Sequence, residues 1–212
     1  MADHFVITIA RGFGTGGKEI ASMLAKDLGV HCYENRILSM ASEMSGLDRT
    51  RFLEVDERLK GNSLTDKLRR LPHTLNPKAV TGKFKGNNEL FEHQAEIIRK
   101  LAATESCVIV GKCADHVLKD YPNVYSFYIE APRSYCLPRI MKKMECSESE
   151  AAELITKTDK YRADYYKYYT GGNYWTNPVN YDLTINSART GSEKAVEIIK
   201  CYLKIQGINI DD

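Results

Sequence analysis

The sequence contains no apolar run approaching the ~20 residues needed to cross a bilayer. It also carries almost no net charge: 30 lysines and arginines against 28 aspartates and glutamates, +2 at pH 7. The first absence excludes a helical membrane span, and the second argues against nucleic acid or a membrane surface as a partner. No charged-then-apolar leader precedes the first apolar run, so no signal peptide is expected. Six cysteines (Cys32, Cys107, Cys113, Cys136, Cys146 and Cys201) are scattered without a C-x-x-C pair, and the five histidines show no metal spacing. This argues against disulfides and zinc and for reduced thiols in a cytoplasmic protein. Cys32 and Cys107 fall in predicted strands and Cys201 in a predicted helix, as small core residues do.

What the chain does have is a 43% hydrophobic composition over 212 residues. That suits one domain, or one domain with an insertion. Its most informative segment is Gly12-Phe13-Gly14-Thr15-Gly16-Gly17-Lys18, which fits seven positions of the phosphate-binding loop G-x-x-x-x-G-K. The eighth position, usually Ser or Thr, is Glu19. Glycines let a backbone wrap closely around a polyphosphate. Successive N–H groups then form an anion nest, and the following helix adds its N-terminal dipole. Context supports the motif. His4–Ala10 is an apolar, β-branched run that reads as a strand, and Ile20, Met23, Leu24 and Leu28 recur at helical spacing after the loop.

The rest of the chain alternates. Strands are expected at Phe5–Ile9, Val30–Tyr33, Cys107–Val110, Asn123–Ile129 and Tyr181–Ile185. Helices are expected at Asn35–Met44, from Asp48 to about Leu59, around Phe91–Ala102, at Ala131–Lys143 despite Pro138, and from Ser147 toward Tyr169. Ser147–Glu150 and Thr190–Glu193 each read as a capping box, the second opening a last helix with Ala195, Ile198, Ile199, Tyr202 and Leu203 on one face. Gly61–Asn88 is polar, basic and rich in Pro, Gly and Asn, and reads as an insertion that is partly helical around Leu64–Leu71. Strands alternating with helices predict an α/β fold with a parallel sheet covered on both faces. Ligands in such sheets bind beyond the carboxyl ends of the strands. That edge collects the glycine loop, Gly111-Lys112-Cys113, Glu130-Ala131-Pro132 and Asn186-Ser187.

A second constellation, Thr158–Tyr169, is dense in charge and tyrosine. On a helix, Asp159 and Arg162 are neighbours, as are Tyr165 and Tyr169. Such a helix is either a solvated face whose tyrosines pack inward or a mobile lid whose cations neutralise phosphates. Gly171-Gly172-Asn173 supplies a flexible end.

Taken together, the chain resembles a P-loop nucleoside-monophosphate kinase, and most closely the cytidylate-kinase-like family. The resemblance rests on Ile7–Arg11 leading into Gly12–Ile20, on Val108–Asp115, on Lys157-Thr158-Asp159 with Arg162 and Tyr165-Tyr166, and on Tyr181-Asp182-Leu183. It spans almost the whole chain. It implies a single domain over 1–212 with a five-stranded parallel sheet, an acceptor-side insertion at about 61–88 and lid helices at about 147–172. The implied activity is phosphoryl transfer from ATP–Mg²⁺ to a nucleoside monophosphate. Gly12, Phe13, Gly14, Thr15, Gly16, Gly17, Lys18, Glu19 and Ile20 would bind ATP phosphates. Gly111, Lys112 and Asp115 would face the acceptor. Lys157, Asp159, Arg162 and Tyr166 would form the lid, and Arg139, Asn186 and Ser187 the adenine side. Lys18 and Arg162 are the implied catalytic pair. Glu19 is common in the cytidylate-kinase-like group, whereas Lys112, Cys113 and Cys136 replace residues of true cytidylate kinases.

Magnesium needs an anchor other than a loop hydroxyl, and Glu19 and Asp115 are the candidates. Glu19 beside phosphates is repulsive unless it faces the metal or pairs with a cation such as Arg11 or Lys112. Partners are expected to be small-molecule nucleotides, with homo-oligomers possible. Two other readings stand beside this one: a kinase of another small acceptor, and a nucleotide-binding sensor or partner-binding module with a weakened active site.

Overall fold

A computed structural model describes residues 4–46 and 88–210 of the chain. The helix expected from Asp48 and almost all of the Gly61–Asn88 insertion lie outside the described residues. Asn88 itself opens a helix.

Five strands form one parallel sheet: β1 (Val6–Arg11), β2 (His31–Tyr33), β3 (Cys107–Val110), β4 (Val124–Glu130) and β5 (Leu183–Asn186), in the order β2-β3-β1-β4-β5. Seven helices flank it among the described residues: α1 (Gly17–Asp27), α2 (Arg36–Ser45), α3 (Asn88–Thr104), α4 (Ala114–Val117), α5 (Arg133–Met144), α6 (Glu148–Tyr169) and α7 (Ser187–Ile205). None is long and apolar enough to cross a membrane. β1 pairs with both β3 and β4, Ile9 opposite Val110 and Phe127. A central strand between two parallel neighbours is buried on both faces, which explains why the strands read as continuous apolar runs.

The two-residue period divides those runs between two cores. Ile7, Ile9, Val108, Val110, Phe127 and Ile129 pack under α1 and α7 with Leu24, Ile199 and Leu203. Val6, Ala10, Cys107, Ile109 and Tyr128 face the other way, against α2, α3 and the tyrosines of α6. Thr8 sits in the second layer, 2% exposed, and its hydroxyl donates to Ser126 Oγ at 2.8 Å. A third cluster joins α5 and α6 through Cys136, Ile140, Leu154 and Ile155, and its remaining large member is Phe13 of the glycine loop.

Local expectations hold where the chemistry is local. Both halves of the Ser147–Glu150 capping box are formed. Pro138 lies inside α5. Tyr165 and Tyr169 meet at 4.6 Å between ring centroids, and Tyr169 stacks on Phe91 at 4.0 Å.

Three expectations are corrected. Thr190 makes no capping bond to the segment after it, and Asn186 caps the first turn of α7, its side chain accepting from Ala188 N–H at 3.1 Å. Thr190 instead donates to the Gly191 and Asn186 carbonyls, and Gly191 breaks the helix with φ 70°. Cys201 is exposed, because the buried stripe of α7 runs Ala195, Val196, Ile199 and Leu203 and leaves position 201 on the far side. Ile198, expected on that stripe, is 39% exposed for the same reason. All six cysteines are free.

Candidate functional site

Because the sheet is parallel, the carboxyl ends of β1, β3, β4 and β5 share one edge, and the glycine loop lies at its centre. Two positive φ values shape the loop, 90° at Gly14 and 83° at Gly16. A Cβ on Gly14 would come within 2.9 Å of Cys136 Cβ, so both the turn and the close approach of α5 need glycine there. The Thr15 hydroxyl donates to the Gly12 carbonyl at 2.9 Å and closes the turn from inside. Ser187 ties the loop to the start of α7, its hydroxyl donating to the Thr15 carbonyl at 2.6 Å. Gly16 caps α1, whose first-turn N–H groups have no intrahelical acceptor.

A cavity of ≈ 720 Å³ opens over this loop. Six cations line it (Arg11, Lys18, Arg139, Lys142, Lys143 and Arg162) against two carboxylates, Glu19 and Glu34. With the helix terminus, that balance suits a multiply charged anion. Lys18 is 59% exposed and extends into the opening.

The structure brings some of the sequence-selected residues to this cavity and not others. Arg162 arrives from α6, with Asp159 of the same helix behind it against the loop backbone. Asp159 Oδ1 accepts from the Phe13 N–H at 2.8 Å, so this loop amide is already engaged. Arg162 donates to the Arg11 carbonyl at 3.0 Å and to Asp159 Oδ1 at 3.3 Å, and its guanidinium lies 5.6 Å from the Phe13 ring centroid. Burial pushes the Asp159 pKa up, opposed by Arg162, the Phe13 N–H and Arg11. Arg162 therefore reaches the loop with α6 as it stands, without a swing. Arg139 pairs with Glu19 at 3.0 Å and stacks over Tyr135. The cation facing Glu19 is thus Arg139 rather than Arg11 or Lys112, because α5 passes directly over the start of α1.

Lys157, Tyr166, Lys112 and Asp115 do not line this cavity. Lys157 pairs along the surface of α6 with Glu153. Tyr166 donates to Asp115 Oδ2 at 2.6 Å. Both residues line a different cavity of ≈ 360 Å³, with Tyr181 and Asp182. Burial raises the Asp115 pKa to about 6, against the Tyr166 hydrogen bond and the backbone N–H groups of Asp115 and His116. Asp115 lies off the loop cavity, since β3 ends in a left-handed turn that carries it aside. Gly111, Lys112 and Cys113 have φ of 72°, 61° and 53° in succession. Two consecutive non-glycine residues in that region cost about 1–2 kcal/mol each. Lys112 is only 7% exposed there.

Three charged residues of this cavity, Glu34, Lys142 and Lys143, were missed in the sequence. Glu34 follows β2, with Oε2 2.5 Å from Lys18 Nζ and Oε1 3.6 Å from Arg11 Nη2. The available signal for Glu34 was its place at the carboxyl end of a predicted strand of a parallel sheet. Among the described residues no group of three potential metal ligands occurs.

Solved structures share the architecture. An uncharacterized protein from Eubacterium ventriosum is similar over 95% of this chain and 99% of its own, with TM-score 0.68 and 24% identity. A shikimate kinase from Bacteroides thetaiotaomicron is similar over 94% and 98%, with TM-score 0.53 and 13% identity. Both show the fold. No curated protein matches the chain. The family model is decisive: matched over residues 6–189, the chain belongs to the cytidylate kinase-like family.

Proposed function

We propose that the protein transfers a phosphoryl group from ATP to a nucleoside monophosphate. The observation that carries this is the placement of Lys18 and Arg162 on two walls of one cation-lined cavity over the glycine loop. Such transfer consists mostly of positioning and charge stabilisation, so two convergent cations on a preorganised loop are the essential parts. Gly12–Ile20 hold the donor phosphates in this reading, with Lys18 drawn to the β/γ positions. Arg162, braced by Asp159 and the Arg11 carbonyl, faces the moving phosphoryl group. Arg139, Asn186 and Ser187 border the base. Magnesium supplies further charge neutralisation when bound with the nucleotide, and the carboxylates available at the loop are Glu19 and Glu34.

A second reading, transfer to the hydroxyl of another small molecule, draws on a specific observation. Lys112 and Asp115, assigned to the acceptor, lie away from the loop cavity, while the β2 side of that cavity presents Glu34. A carboxylate accepts from a hydroxyl and repels a phosphate. An ADP-release screen over nucleoside monophosphates and small alcohols, with Lys18→Ala as control, tests both. Release with a monophosphate supports the first, and release only with an alcohol supports the second. ATP binding without ADP release in any mixture overturns both in favour of a binding module.

A further inference from the structure

The two carboxylates of the loop cavity are held differently. Glu19 is 55% exposed and paired sideways with Arg139. Glu34 is 14% exposed and lies against Lys18, with Arg11 on its other oxygen. Glu34 thus stands where a nucleotide phosphate must approach Lys18. A carboxylate and a phosphate oxygen brought that close repel each other. The repulsion is removed if Glu34 withdraws or if a cation enters between the two anions. Withdrawal means leaving Arg11 as well as Lys18. Magnesium is ordinarily bound by one or two carboxylates together with substrate phosphates rather than by an all-protein cage. The absence of a three-ligand group among the described residues agrees with that mode.

We infer that Glu34 is the carboxylate through which nucleotide binding is coupled to a divalent cation. In the free protein it clamps Lys18. When a metal-bound nucleotide arrives, Lys18 passes to the phosphates and Glu34 faces the metal. This rests on the reading that the loop cavity receives a nucleotide's phosphates. It replaces the hydroxyl missing at position 19 of α1 with a side chain that follows β2.

Calorimetry of ATP binding to the full chain, with Mg²⁺ and with a chelator, tests the coupling. Wild type binds ATP about ten-fold or more tightly with Mg²⁺. Glu34→Gln binds metal-free ATP more tightly than wild type, and its Mg²⁺ effect falls to within about two-fold. Glu34→Ala gives the same readout where Glu34→Gln fails to fold. Titration of Mn²⁺ by electron paramagnetic resonance shows the same loss of cation affinity in the ATP complex. A Glu34→Gln coupling equal to that of wild type overturns the inference, as does loss of coupling in Glu19→Gln instead. If wild type shows the Glu34-dependent coupling and yet releases no ADP, the inference stands and phosphoryl transfer fails. If wild type binds no ATP under either condition, both fail.

Discussion

The backbone N–H of Phe13 donates to Asp159 Oδ1 at 2.8 Å, across 146 positions of sequence. Through that bond the glycine loop and helix α6 behave as one unit. The Phe13 ring sits in the α5–α6 core, and Arg162 is fixed by the same carboxylate. Asp159→Ala leaves a loop amide without its acceptor and frees Arg162. The expected cost is about 1–3 kcal/mol of stability, with weaker ATP binding. Asp159→Asn keeps an oxygen acceptor for the amide and recovers most of the stability. Thermal unfolding and ATP calorimetry of the two variants check this.

Variants of Lys18 and Arg162 test the proposed transfer. Lys18 is 59% exposed, so Lys18→Ala folds normally. Its expected effect is a fall of about 10²–10³-fold in turnover, the size associated with removing one preorganised charge-stabilising donor. Arg162→Lys retains charge but loses the planar fork that bonds the Arg11 carbonyl and Asp159 together. It lowers kcat more than it raises KM for ATP. Steady-state kinetics with the acceptor found in the screen decides the matter.

Gly14→Ala tests the loop's geometry. At φ 90°, with Cys136 Cβ 2.9 Å from the new methyl, the residue is strained and crowded at once. A destabilisation of about 1–3 kcal/mol is expected, with loss of ATP binding at temperatures where the fold persists. Gly171→Ala is the comparison, having positive φ but nothing within 4 Å of its added Cβ.

Asp115 makes stability depend on pH in a definite direction. Burial raises its carboxyl from 3.8 to about 6, so the folded state holds a proton that the unfolded state has released. The resulting stabilisation is complete below about pH 4 and is lost as pH rises through about 6. A shift of that size corresponds to about 3 kcal/mol between the charge states. Asp159 is shifted in the same direction. Relative to Asp115→Asn, wild type therefore gains stability between pH 7.5 and pH 5, roughly the window bracketing that titration. Urea titrations of both proteins at several pH values measure it.

Elements whose causes are local were legible in the linear chain. The strand–glycine loop–helix unit, the Ser147 capping box and the Asp159–Arg162 pair depend on residues within a turn or two of each other. Apolar, β-branched runs also sufficed for the five strands, and their alternation with helices for the parallel arrangement. Thr190 misled because a capping box was read where Gly191, at φ 70°, interrupts the helix. Cys201 misled because helical spacing alone does not say which face is buried.

Tertiary structure alone decided the membership of the site. Glu34 lies beside Lys18 because β2 and β1 flank β3 in one parallel sheet and so end at one edge. Asp115, chosen from the sequence as a possible metal anchor, turns away because three left-handed residues follow β3 and Tyr166 holds its carboxylate. Ion pairing acts through space over a few ångströms, whereas motif spacing records only separation along the chain. Partners brought together by strand order are therefore invisible until the sheet is assembled.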